Sequence, residues 1–243
     1  MKKKKDSIYA EKQQSVTGFR FNSETAEVFE DMIERSVPGY RTTISMIGLL
    51  AERYSLADSF CYDLGCSLGA ATLAMRKNIK QPGCSIVAVD NSEPMIEKCR
   101  TRIEADTSQV PIKLICADIQ DVVIENASIV VLNFILQFIE PKKREVLLNK
   151  ICSGMVPGGV LILSEKVSFD DRQEEVLNIE MHHTFKKAHG YSDLEISQKR
   201  TALEKVLIPE TLQTHQQRLE KAGFSTSTIW FQCFNFMSIA AIK

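Results

Sequence analysis

Ser59-Phe60-Cys61-Tyr62-Asp63-Leu64 runs directly into Gly65-Cys66-Ser67-Leu68-Gly69, and a helical pattern opens at about Ala70. A short apolar run, a glycine-bearing turn and an amphipathic segment predict a strand, a tight turn and a helix. Glycine serves where a backbone turns sharply or lets a ligand approach, and a helix start offers free N–H groups with a partial positive charge. A dinucleotide turn would read G-x-G-x-x-G, with the pyrophosphate on the helix end. Here the spacing is Gly65-x-x-x-Gly69, and Asp63 stands just before the first glycine. A carboxylate there repels phosphate but suits a cation and can accept from an ammonium. The sulfonium and amino-acid part of S-adenosylmethionine meets that description.

Working outward, the same rhythm repeats. Short apolar runs at Ser59–Leu64, Ser85–Val89, Ile112–Cys116, Ala127–Phe134 and Val160–Ser164 alternate with helical patterns near 69–80, 93–105 and 141–155. Pro157-Gly158-Gly159 closes the last of these helices. Such alternation predicts an α/β fold with a mostly parallel sheet covered on both faces. Upstream, Ser23 is placed to cap a helix carrying Val28, Phe29, Met32 and Ile33 on one face, ended by Pro38-Gly39. A second helix follows through Ile44, Ile47, Leu50, Ala51 and Tyr54. Residues 1–22 have few periodic apolar positions and are expected to form a flexible, loosely packed segment before a single domain spanning 23–243. The stretch from about 169 to 223 is helical and charged, an insertion without a convincing strand. Ser225–Ile242 reads as two strands around Cys233–Asn235, an antiparallel hairpin closing the sheet.

The strand tips carry polar residues in order. Asp90 ends the second strand, where a carboxylate can accept both hydroxyls of a ribose. Nicotinamide dinucleotide sites use the same device, so Asp90 alone does not separate the two cofactors. Asp118 ends the third strand and can accept an adenine amino group, with Ile119 packing on the ring. Asn133 ends the fourth, where ligands of open α/β sheets gather. Singly, each reads as a cap or a solvated loop residue. Together, at four successive strand tips, they predict a nucleoside site.

Composition narrows the classes. Among 243 residues, 44% are hydrophobic and 25% charged, and the net charge is −1, an ordinary globular balance without a field for nucleic acid. The run Lys2–Lys5 reads as a solvated terminus. No apolar segment follows it, so no signal peptide is expected. The longest apolar stretch, Ile129 to Ile139, is interrupted by Asn133 and Gln137 and falls short of the ~20 residues that span a bilayer. A soluble, cytoplasmic protein is expected, with no membrane partner. Seven cysteines lie scattered in apolar runs without a CxxC pair, which predicts buried thiols and no zinc site. His182-His183 point about 100° apart on a helix and cannot share an ion as an i, i+4 pair would. Glu165 reads as a cap or a base, and Trp230, Phe231, Phe234 and Phe236 as hairpin packing. Arg200, in the helical insertion, is by default a solvated residue.

Several stretches are more specific. Arg35–Tyr40, Tyr62–Leu73, Val89–Ser92, Val130–Phe134, Leu194–Arg200 and Trp230–Phe236 closely resemble the carboxy-S-adenosyl-L-methionine synthase family, and the resemblance runs from about residue 18 to the end. It implies a Rossmann-like class I methyltransferase fold and an enzyme that turns S-adenosylmethionine and prephenate into carboxy-S-adenosylmethionine and phenylpyruvate. It implies a homodimer, and a partner enzyme that spends the product on a tRNA wobble uridine. No metal is expected. The resemblance assigns ligand contacts to Tyr40, Gly65, Cys66, Ser67, Asp90, Asn91, Asp118, Ile119 and Asn133, and the grip on the new carboxylate to Arg200, within its own chain or across a dimer. The rivals are a conventional small-molecule methyltransferase, a non-catalytic binding module and a direct tRNA binder, the last disfavoured by the charge balance. Lys and Arg are too plentiful to single out those that hold prephenate.

Overall fold

Each apolar run becomes a strand and each amphipathic segment a helix in the computed structural model, which describes residues 4–243. The order is α1 (Ser23–Ser36), α2 (Tyr40–Tyr54), β1 (Phe60–Leu64), α3 (Ala70–Asn78), β2 (Ser85–Asp90), α4 (Glu93–Ala105), β3 (Ile112–Cys116), β4 (Ala127–Asn133), a 3-10 turn (Leu136–Phe138) and α5 (Pro141–Gly154). Then come β5 (Met155–Ser168), α6 (Arg172–Ala188), α7 (Asp193–Leu203), β6 (Glu210–Thr211), α8 (Leu212–Lys221), β7 (Thr226–Cys233) and β8 (Phe236–Ile242). The sheet runs β3-β2-β1-β4-β5-β8-β7, with the short β6 beside β5. Strands β1 to β5 pair in parallel, and β8 lies antiparallel between β5 and β7.

Period-two alternation divides the core. Leu64, Val89, Leu132 and Leu163 face one side, with Leu148 and Ile151 of α5 and Leu219 of α8. Cys61, Ile86, Ile129, Val131 and Ile162 face the other, against Ile47 of α2 and Met75 of α3. From β1 the chain builds outward to β3, then returns to lay β4 on the opposite flank of β1. That reversal opens a crevice at the carboxyl ends of β1 and β4.

Several boundaries differ from expectation. Asn22, not Ser23, caps α1, its side chain accepting from Thr25 N at 3.0 Å. Strand β5 begins at Met155, because Met155 already pairs with Ala127 before a register shift that absorbs Pro157-Gly158-Gly159. It continues to Ser168 because β8 and β6 supply partners. Cys116 is exposed and Cys233 half-buried, since β3 and β7 are the sheet's edges; the other five thiols are buried.

The N-terminal segment is the larger correction. Lys2 and Lys3 of the basic run lie outside the described residues, and Lys4 and Lys5 are exposed. From Asp6 onward the expected loose packing gives way to specific anchors. Asp6 is 1% exposed and takes bonds from Tyr191 and Lys199, while its carbonyl accepts from Arg35. Gln198 holds the carbonyls of Tyr9 and Glu11, and Phe19 N donates to Ala202 O. Most of these bonds come from single polar side chains, which leave no periodic trace in a sequence.

Arg144 on α5 is fully buried. Its guanidinium donates to the carbonyls of Ile139, Gln137 and Ile208 and pairs with Glu210, which also pairs with Arg218 of α8. This knot ties the end of the helical insertion to the sheet domain.

Candidate active site at the reversal of strand order

The turn after β1 closes on β2. Gly65 N and Cys66 N both donate to Val89 O, at 2.8 and 2.9 Å, and Gly69 N donates to Cys66 O at 2.8 Å. Gly65 has φ +86°, and a Cβ there would lie 2.2 Å from Ile135 Cδ1. The glycine is therefore demanded by the loop after β4 as well as by its own φ. Ser67 also sits at positive φ, +49°, held by a 2.9 Å bond from its N–H to Asp90 Oδ2. The Cys66 thiol is buried among Ala88, Ile96 and Cys99.

Above this turn lies a cavity of about 900 Å³. Tyr40, Gly65, Cys66, Ser67, Asp90, Asn91, Asp118, Ile119, Asn133 and Arg200 all line it. The structure thus brings to one cavity the ten residues that the resemblance assigned, Arg200 among them from the same chain. Asp90 accepts from Ser67 N and, at 2.9 Å, from Ser92 N; burial raises its pKa above the usual carboxylate value. Asp63, 1% exposed at the floor, accepts from Thr72 Oγ1, and burial pushes it up to about 6. Burial, and secondarily the Asp63 carboxylate, push the Tyr40 phenol up. Asn133 Oδ1 is buried at the cavity wall without a hydrogen-bond partner among the described residues. A buried acceptor without a donor is costly. Phe134, next in the chain, is held at φ +61°, strain of a kind that collects at functional sites.

Part of the cavity lining is a cluster of basic side chains. Lys166 projects from β5, His182, His183 and Lys186 from α6, Lys199 and Arg200 from α7. His182 is buried, with Nε2 2.8 Å from Ser36 O and its ring 4.8 Å from that of Phe236; burial drives it down to about 2. Burial and neighbouring cations lower Lys186 to about 7. Sequence reasoning missed Lys166, Lys186 and Lys199, because a lysine at a strand end or in a charged helical insertion looks solvated. Ile179, His182 and Lys186 fall at i, i+3 and i+7, one helical face, and all three line the cavity; that spacing was the available signal. Glu165 is a cap, not a base facing the cavity: its carboxylate accepts from Leu136 N and Gln137 N at 2.8 and 2.9 Å, and burial pushes it up to about 8.

Residues 62–159 match the methyltransferase domain family model. The fold is similar to that of human N-acetylserotonin methyltransferase in complex with S-adenosylmethionine, with a TM-score of 0.61 and 18% identity over 90% of this chain and 56% of that one. Fold and site together define a protein of the class I methyltransferase type. At higher resolution of sequence, the chain is 58% identical to the carboxy-S-adenosyl-L-methionine synthase of Citrifermentans bemidjiense over 100% of both chains. It is 56% identical to that of Photobacterium profundum over 98% of both. The chain belongs to the carboxy-S-adenosyl-L-methionine synthase family. No helix of the described residues is long and apolar enough to cross a membrane.

Proposed function

We propose that this chain converts S-adenosylmethionine and prephenate into carboxy-S-adenosylmethionine and phenylpyruvate. The carrying observation is that one cavity joins the nucleoside-type contacts at the strand tips to a basic cluster that includes Arg200. A conventional methyltransferase leaves the methyl group facing a nucleophile. Here the lining of the same cavity includes Lys166, Lys186, Lys199 and Arg200, and cations suit carboxylates.

The chemistry balances without a further reactant. Prephenate loses its ring carboxylate as carbon dioxide and its ring hydroxyl as hydroxide, and aromatisation drives both losses. The hydroxide removes a proton from the sulfonium methyl, giving water and an ylide stabilised by the adjacent positive sulfur. The ylide carbon then forms a bond to the carbon dioxide. Asp90 and the Ser67 turn hold the nucleoside, Asn133 accepts from its amino-acid end, and Arg200 pairs with the carboxylate that appears on the former methyl. The product supplies a partner enzyme acting on a tRNA wobble uridine, and the working unit is a cytoplasmic homodimer.

Arg200→Ala is expected to weaken binding of the carboxylated nucleoside by about tenfold or more, the scale of a charge-assisted hydrogen bond, and to leave S-adenosylmethionine within about threefold. Calorimetric titration of both ligands checks this. Equal losses for the two would remove Arg200 from its role. A wild-type enzyme that forms no phenylpyruvate from prephenate in the presence of S-adenosylmethionine would overturn the functional reading itself.

A further inference from the structure

Prephenate carries two carboxylates, and only one leaves. The other, on the pyruvyl side chain, persists in phenylpyruvate. A cation gripping the departing carboxylate stabilises the reactant and opposes decarboxylation, because that charge must flow into the ring. A cation gripping the persisting carboxylate carries no such penalty. The site therefore needs an anion subsite separate from Arg200.

Lys186 has the properties of that subsite. It is 7% exposed, yet lines the cavity. Among the described residues its ammonium has no hydrogen-bond or ion-pair partner, in contrast to Lys199, which bonds Ser36 Oγ at 3.0 Å and pairs with Asp6 at 3.5 Å. Lys166, on β5, is partly exposed and has the Glu175 carboxylate acting on it, and it and Arg200 both repel Lys186. An unpaired buried cation is costly in a folded chain, and one that lines a cavity beside further cations is matched to an anion. We propose that Lys186, with Lys166 beside it, binds the carboxylate of the second substrate that is not transferred, leaving Arg200 for the one that is. This rests on the functional reading above.

Phenylpyruvate isolates the subsite, because it retains only the persisting carboxylate. It is expected to inhibit the wild-type enzyme competitively against prephenate. Lys186→Gln raises its inhibition constant and the KM for prephenate by about tenfold or more, while the Kd for S-adenosylmethionine stays within about twofold. Lys186→Arg restores part of the loss, and Lys166→Gln shifts the same two constants in the same direction. Lys186→Gln removes an unpaired buried charge and is expected to melt no lower than wild type.

The pH dependence has a definite sign. The groups facing Lys186 are Lys166 of β5, His182 and His183 of its own helix, and Lys199 and Arg200 of α7. Burial first, and then the cations among them, favour its neutral form in the free enzyme and lower it to about 7, and an arriving carboxylate requires the charged form. Phenylpyruvate inhibition weakens as pH rises above about 7, and Lys186→Gln abolishes that slope. Prephenate turnover by wild type with an unchanged phenylpyruvate inhibition constant in Lys186→Gln overturns the subsite alone. Absence of turnover by wild type overturns the functional reading and the subsite with it.

Discussion

Asp90→Ala will lower the affinity for S-adenosylmethionine by at least about a hundredfold. Two charge-assisted hydrogen bonds to a ribose diol are worth about 1.5–3 kcal/mol each, and every 1.4 kcal/mol is about a factor of ten. The substitution also frees Ser67, whose N–H is held at 2.9 Å by Asp90 Oδ2 and whose φ of +49° is unfavourable for a residue with a Cβ. The turn thus loses its anchor together with the ribose contact. Asp90→Asn keeps one acceptor oxygen and is expected to fall between wild type and Ala. Calorimetric titration or equilibrium dialysis measures both. An affinity for Asp90→Ala within threefold of wild type would show that the nucleoside lies elsewhere.

The second large effect is on stability. Arg144→Met removes a fully buried guanidinium from the carbonyls of Ile139, Gln137 and Ile208 and from the Glu210 carboxylate. Breaking a buried pair from one side typically costs about 3–5 kcal/mol, because the partner groups stay buried without donors. Arg218 still pairs with Glu210, at 2.7 Å, which places the expected loss near the lower end. For a domain of this size that corresponds to a fall of about 6–12 °C in melting temperature. Urea unfolding of the two proteins at one pH measures it. A loss under about 1 kcal/mol would mean that water reaches the three carbonyls and that the knot does not hold the insertion to the sheet.

What the sequence made legible was local or repeated. The parallel strands and the turn at Gly65–Gly69 show as short apolar runs, and the cavity-lining positions of Asp90, Asp118 and Asn133 follow from lying at or just beyond strand ends. Arg200 depended on resemblance, since nothing in its helix distinguishes a cavity residue from a solvated one. What stayed hidden was made by single long-range contacts. Asp6 reaches Tyr191 and Lys199 from the far end of the chain, and Arg144 collects carbonyls from two separate loops. Lys166 and Lys186 come from different elements and meet only once the insertion folds over the strand ends. Nothing in the sequence marks Lys186 as buried, because lysine is ordinarily a surface residue and is buried only for a reason that tertiary structure supplies.

The central claim is that the sulfonium methyl carbon of S-adenosylmethionine takes up a carboxylate that prephenate gives off. Prephenate labelled with carbon-13 in its ring carboxylate, incubated with the purified protein and S-adenosylmethionine, tests it in one mass spectrum. The account predicts a sulfonium nucleoside heavier than S-adenosylmethionine by one labelled carbon dioxide, together with unlabelled phenylpyruvate. A nucleoside that has lost its methyl group to an acceptor, or a carboxylated product without the label, would contradict it.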